Sequence, residues 1–204
     1  MQGDTYYTIE KVAEAQYSEK RSKFFAFVVP VKSPEEALAV VDNYRKKYYD
    51  ARHVCWAYRI GEEGVERSND DGEPSGTAGK PILGRLLSAD LSDIVAIVVR
   101  YFGGIKLGTS GLIVAYKSAT ELAIEEAVRK PVTKMVDFEV AYGYDLMGEV
   151  MRYVKEYNLT VVSQECLQSC SLHLRVRAND FPEVKARFEA LYGCSISCLK
   201  KEDE

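Results

Sequence analysis

The chain has 204 residues, 47% apolar and 28% charged, with 27 Lys and Arg against 31 Asp and Glu for a formal charge of −4. That length fits one domain or two small ones, the apolar share excludes a disordered chain, and the acidic balance excludes a polycationic protein that coats nucleic acid. No purely apolar run exceeds six residues, as at Ile94 to Val99, far short of the roughly 20 that cross a bilayer, and the start MQGDTYYTIEKVAE has no apolar signal core, so a cytoplasmic, non-membrane protein is expected.

The first strand signal is the apolar run from Phe24 to Lys32. Ser33-Pro34-Glu35-Glu36 then opens a helix, with Ser33 as cap, Pro34 at the first helical position and Glu36 completing a capping box. Ala37, Val40, Val41, Tyr44 and Tyr48 follow at helical spacing and give one apolar face. Val54 to Ile60 reads as a strand, Gly61 to Gly64 as a turn and Val65 to Asn69 as a short return strand. Asp70 to Gly79 is rich in Asp, Gly, Pro and Ser, hence a loop. Pro81 to Leu87 reads as a short helix, and Ile94 to Phe102 as a buried strand. After a glycine loop, a helix is expected from about Ser110 to Val128, with Arg129 and Lys130 near its negative end and Pro131 stopping it.

A second block follows. Met135 to Tyr142 is a strand, and Asp145 caps a helix to about Tyr157 that Asn158 leaves by a left-handed residue. Leu159 to Cys166 and Ser171 to Ala178 form a hairpin about Leu167-Gln168-Ser169. Asp180-x-x-Glu183 opens another helix, Gly193 closes it, and Cys194 to Lys200 is the last strand. The order βαββαβ is ferredoxin-like. The boundary falls near Arg129 to Lys134, giving domains 1–130 and 131–204. The first carries a net charge of −1 and the second −3.

Five cysteines occur, and the last four form two C-x3-C pairs, Cys166 with Cys170 and Cys194 with Cys198. Free thiols are expected in a reducing compartment. Structural zinc more often uses C-x2-C or C-x4-C. The ferredoxin-like order also puts the second and fourth strands at opposite sheet edges, so Cys166 and Cys194 fall far apart. No metal site is expected.

The residues able to carry chemistry lie in the first block. Arg100-Tyr-Phe-Gly103-Gly104-Ile-Lys106-Leu-Gly108-Thr109-Ser110-Gly111 follows a buried strand and opens a helix. Glycines let backbone N–H groups turn toward a ligand, and a helix N-terminus adds about half a positive charge. The pattern is neither a Walker A loop nor a G-x-G-x-x-G fingerprint. It reads as a phosphate cradle or as a tight turn capped by Ser110 or Thr109. The loop with Asp70, Asp71, Gly72 and Glu73, followed by Lys80, reads as a site for a divalent ion such as Mg²⁺ or as an acidic surface turn. It fails the EF-hand pattern, and a ten-residue loop this polar inside a compact domain suggests function. Lys20, Arg21 and Lys23 beside Phe24, together with Arg52, are basic residues among aromatics, suited to gripping phosphate and stacking on bases, or to a solvated face. His53 and Cys55 share one face of a strand, as a Cys–His pair would, and as two unrelated residues would. No established hydrolase or kinase motif is present, so no catalytic residue is assigned.

KRSKF at 20–24, DARH at 50–53, SNDDGEPSGTAGKP at 68–81 and VVRYFGGIKLGTSGL at 98–112 together resemble the Impact family, bacterial YigZ type, over about residues 15–128. The resemblance implies an α+β protein: a domain with the ribosomal protein S5 domain 2 fold, then a ferredoxin-like domain, a pair that recurs in elongation factor G. It also implies kinship with eukaryotic translation regulators that act through a protein partner.

Two functions follow. One is a non-enzymatic RNA- or ribosome-associated factor in translation, with Arg100, Lys106 and the loop amides on backbone phosphate and Arg52 and the Lys20 cluster widening the patch. The other is an enzyme or nucleotide-binding protein acting on a phosphorylated small molecule with Mg²⁺. Lys106 to Gly111 is similar to the Gly-Leu-Gly-Ser-Ser-Ala phosphate loop of the GHMP kinases, which share the S5-like fold, departing at Lys106 and Gly111.

Overall fold

The computed structural model describes residues 4–61 and 64–199; the middle of the expected Gly61 to Gly64 turn, and Lys200 of the expected last strand, lie outside them. The chain runs β1 (Thr5–Ile9), β2 (Ala13–Glu19), β3 (Ser22–Pro30), α1 (Pro34–Lys47), β4 (His53–Ile60), β5 (Val65–Asn69), α2 (Gly79–Ser88), β6 (Ile94–Tyr101), α3 (Gly108–Glu125) and β7 (Arg129–Thr133). It continues with β8 (Met135–Tyr142), a 3₁₀ turn, α4 (Met147–Glu156), β9 (Thr160–Cys166), β10 (Cys170–Arg177), α5 (Phe181–Glu189) and β11 (Ser195–Cys198). Two units form: Tyr6–Val132, and Asp4 and Thr5 with residues 133–199. No described helix is long and apolar enough to cross a membrane.

In the larger unit a five-stranded antiparallel sheet has the order β2-β3-β6-β4-β5. Strand β6 is central, and its residues from Ile94 to Arg100 are all buried. Side chains alternate faces along a strand. Val95, Ile97 and Val99 therefore pack with Phe27, Trp56 and Tyr58 under Ala37 and Val41 of α1. Ile94, Ala96 and Val98 pack with Phe24, Cys55 and Ala57 under Ile82 and Leu86 of α2 and Leu112, Tyr116 and Ala119 of α3. The result is one helix, the sheet, then two helices. Each large apolar side chain buried this way contributes about 1.5–3 kcal/mol.

Ser33 caps α1 as expected, its hydroxyl accepting from the Glu36 amide at 3.2 Å. Three strands carry no clear local signal: β1, β2 and β7. The expected boundary segment Arg129 to Lys134 is instead mostly β7, which pairs with β1 in a two-stranded ribbon. Its partner lies more than 100 residues away in sequence, so no local pattern announces it. Helix α3 accordingly ends at Glu125 rather than Val128. Pro131 sits in β7, where a two-stranded ribbon tolerates it.

The smaller unit has the ferredoxin-like sheet order β11-β8-β10-β9. Phe138, Val140, Leu172 and Leu174 face Val150 and Val154 of α4 and Val184 and Phe188 of α5. Asn158 takes the left-handed exit, at φ +49°. Asp145 lies in the 3₁₀ turn rather than capping α4, and Asp180 caps α5 by position without a side-chain hydrogen bond. Strands β9 and β11 are the opposite edges, which separates Cys166 from Cys198. Free thiols are not what Cys166 and Cys170 become. They pair directly across the β9–β10 hairpin and are joined as a disulfide.

Candidate functional site

The acidic loop spends its carboxylates locally. Asp70 accepts from the backbone N–H groups of Gly76, Ala78 and Gly79 at 2.8–2.9 Å and so caps α2. Burial raises its pKa, but these N–H groups, with Lys80 nearby, outweigh that and hold the carboxyl below its usual range. Asp71 accepts from the Val54 amide at 2.7 Å and from Arg45 at 2.8 Å. Its carbonyl meets His53 Nδ1 at 2.7 Å. A carbonyl only accepts, so Nδ1 carries the proton. Only Glu73 turns inward, and it is buried.

Arg100 meets it there. Continuing the β6 alternation, Arg100 falls on the α2/α3 face, at the end of the apolar stripe, and is 5% exposed. Its Nη1 lies 2.5 Å from Glu73 Oε1. The same oxygen accepts from the Tyr116 hydroxyl at 2.9 Å and lies 3.9 Å from His53 Nε2. The guanidinium carbon sits 5.5 Å from the Phe24 ring centre and 5.6 Å from that of Phe102. Arg100 Nε is buried without a hydrogen-bond partner among the described residues. Arg100 is thus a paired cation in the floor of the site rather than a free one at its rim. Cys55 lies on the same face as His53, as expected, but its thiol donates to the Asp70 carbonyl at 3.0 Å. Burial pushes that thiol, and the Tyr116 hydroxyl, far above their ordinary pKa values. A thiolate nucleophile is not what this position holds.

Above the floor lies a cavity of about 430 Å³, lined by Arg52, Gly72, Glu73, Arg100, Phe102, Lys106, Gly108 and Thr109 among others. Three separate motifs meet in it. Helix α3 begins at Gly108, two residues before the expected start, with Leu107 at the cap and no side-chain cap hydrogen bond. The capping roles expected of Thr109 and Ser110 are therefore not taken up. The chain can start the helix there because Gly108 adopts φ +74°, which glycine does at little cost. The N–H groups of the first turn keep no intrahelical acceptor, and they carry the positive end of the helix dipole. Arg52 and Lys106 pair with no carboxylate among the described residues. Thr109 adds a hydroxyl.

The basic turn supports this wall from behind. Lys20 and Arg21 form the two-residue β2–β3 turn, both at positive φ, the geometry a tight hairpin requires. Gly103 packs onto it: a Cβ there would stand 2.0 Å from the Arg21 carbonyl carbon. The Gly103 amide donates to Ser22 Oγ at 3.2 Å. Arg21 and Lys23 do not enter the cavity. They line a second cleft on the other face of the sheet end, with Phe102 common to both. Lys20 lines neither, and Lys80 sits at the start of α2. Sequence reasoning missed Phe102, Tyr116 and the pairing of Glu73 with Arg100. A full-length alternation count through β6 would have placed Arg100 inside, but not its counter-ion.

The match to known proteins covers this unit first. A model of the Impact N-terminal domain matches residues 20–124. The chain is 44% identical over 119 residues to the IMPACT family member YvyE of Bacillus subtilis, spanning 57% of this chain and 55% of that one. It is 29% identical over 187 residues to the IMPACT family member YigZ of Escherichia coli, spanning 90% and 92%. A crystal structure of a hypothetical protein superposes with TM-score 0.72 at 25% identity, covering 98% of this chain and 99% of that one. The motifs that build the cavity lie inside the matched domain, and the chain belongs to the IMPACT family, of the YigZ type.

Proposed function

We propose that this chain is a non-enzymatic RNA- or ribosome-associated protein of translation regulation, acting in the cytoplasm and holding a backbone phosphate in the α3 cavity. The observation that carries the reading is the uncapped N-terminus of α3, opening into a cavity with two cations, Arg52 and Lys106, that pair with no carboxylate among the described residues. Backbone N–H groups, dipole and cations all favour one negatively charged group. Arg100 acts through position: with Glu73 it forms a neutral, rigid floor. The reading accommodates the −4 net charge, since the site is local rather than a basic surface.

The Mg²⁺-dependent enzyme is the weaker reading. Asp70 and Asp71 are occupied by backbone N–H groups and Arg45, and Glu73 by Arg100 and Tyr116. Little carboxylate is left for a cation beside the loop.

The test is titration of a fluorescein-labelled RNA oligonucleotide, alongside co-sedimentation with ribosomes with and without ribonuclease. Arg52→Ala with Lys106→Ala is expected to weaken binding about tenfold or more. Binding that ignores both changes, or its absence in the unaltered protein, overturns the reading.

A further inference from the structure

We infer that the second cleft takes an unpaired nucleobase, so that the ligand is single-stranded rather than duplex RNA. This rests on the phosphate reading of the neighbouring cavity. The cleft holds about 460 Å³ and is lined by Arg21, Lys23, Phe25, Tyr48, Tyr101 and Phe102. Four aromatic rings and two cations make up the whole of it.

The rings are already arranged. Phe25 and Tyr48 lie nearly parallel, 18° apart with centres at 6.4 Å. Tyr101 meets Phe25 edge-on at 5.9 Å, and its hydroxyl donates to Asp50 at 2.8 Å, which fixes the ring. Lys47 Nζ stands 5.3 Å from the Tyr48 ring centre. Phe102 is 45% exposed although one ring face already meets Arg100. An aromatic left this open, at the mouth of an aromatic cleft, is what a stacking platform presents.

Charge selects the occupant. Arg21 and Lys23 pair with no carboxylate among the described residues, so an anionic ligand meets them without first breaking an ion pair. An apolar peptide would offer neither of them a counter-charge. A nucleotide supplies both needs: a flat ring for Phe25, Tyr48 and Phe102, and a phosphate for the cations. Successive β6 residues separate the two sites. Arg100 faces the α2/α3 side, Tyr101 faces the α1 side with Lys23 as its β3 partner, and Phe102 closes the sheet end between them. A strand crossing at Phe102 sets a phosphate on one side and a base on the other. A duplex keeps its base faces stacked inside and has nothing to insert.

The experiment uses the full chain with an RNA oligomer carrying 2-aminopurine, single-stranded or annealed to its complement. Binding of the single strand is expected to quench the fluorescence and to exceed duplex binding about tenfold. Phe102→Leu with Tyr48→Leu keeps apolar volume and removes two rings. It is expected to lower single-strand affinity about five- to fiftyfold while leaving the salt dependence unchanged. Equal duplex affinity without quenching, with binding still dependent on Arg52 and Lys106, overturns this inference and leaves the phosphate site standing. No RNA binding of either form overturns both.

Discussion

Glu73 decides the character of the site. A carboxylate and a guanidinium taken out of water are costly unless each satisfies the other, and here Glu73 serves Arg100 and Tyr116 through one oxygen. The pair sits within an aromatic box formed by Phe24, Phe102 and Tyr116. Glu73→Gln leaves the Arg100 charge buried without a counter-ion. It is expected to destabilise the larger unit by about 3–5 kcal/mol, read as a fall in the urea midpoint. Adding Arg100→Met removes the stranded charge and is expected to restore most of that loss. If the double variant is no more stable than Glu73→Gln, the pairing is not what holds the loop.

Helix α3 bears on the proposed phosphate site through its missing cap. Most helices satisfy their first N–H groups with a Ser, Thr, Asp or Asn side chain, yet Leu107 stands at this cap and no side chain takes the role. The first turn carries no acid either. An acid there would suit the helix and spoil the site. Thr109→Asp is therefore expected to leave the protein as stable or stabilise it by about 0.3–1 kcal/mol, while sharply weakening RNA binding. Thermal melting and the binding titration together check this. A loss of both stability and binding would mean that the variant disturbs the fold rather than the charge of the site.

For the whole molecule, the acidic total sets a limit on the mode of binding. A chain at −4 has no general attraction for a polyanion, so affinity must come from a few contacts. Each phosphate neutralised on a single strand contributes a slope of about −0.7 in log K against log salt, and Arg52 and Lys106 share one phosphate. The Arg52→Ala, Lys106→Ala protein is expected to show a slope flatter by about that amount. An unchanged slope would place the phosphate contacts elsewhere.

Much of this is legible in the amino-acid sequence alone. The alternation and apolar runs place β3, β4, β6 and the ferredoxin-like block, because burial on one face imposes a two-residue period and burial on both faces a continuous apolar run. The four motifs mark the family, and three of them carry the cavity's glycines and cations. Strands β1 and β7 were not legible, since each is defined by a distant partner rather than by its own residues. Nor was the Cys166–Cys170 disulfide, which needs the hairpin register. The acidic loop was legible as a loop but not in its roles. Asp70, Asp71 and Glu73 are near-neighbours of one residue class, yet one caps a helix, one holds a strand end and one neutralises a buried arginine. Sequence by itself determined which chemistry is present and on which elements. Only the tertiary structure decided which charges are spent on each other and which remain free, because pairing depends on distances across strands and loops far apart in the chain.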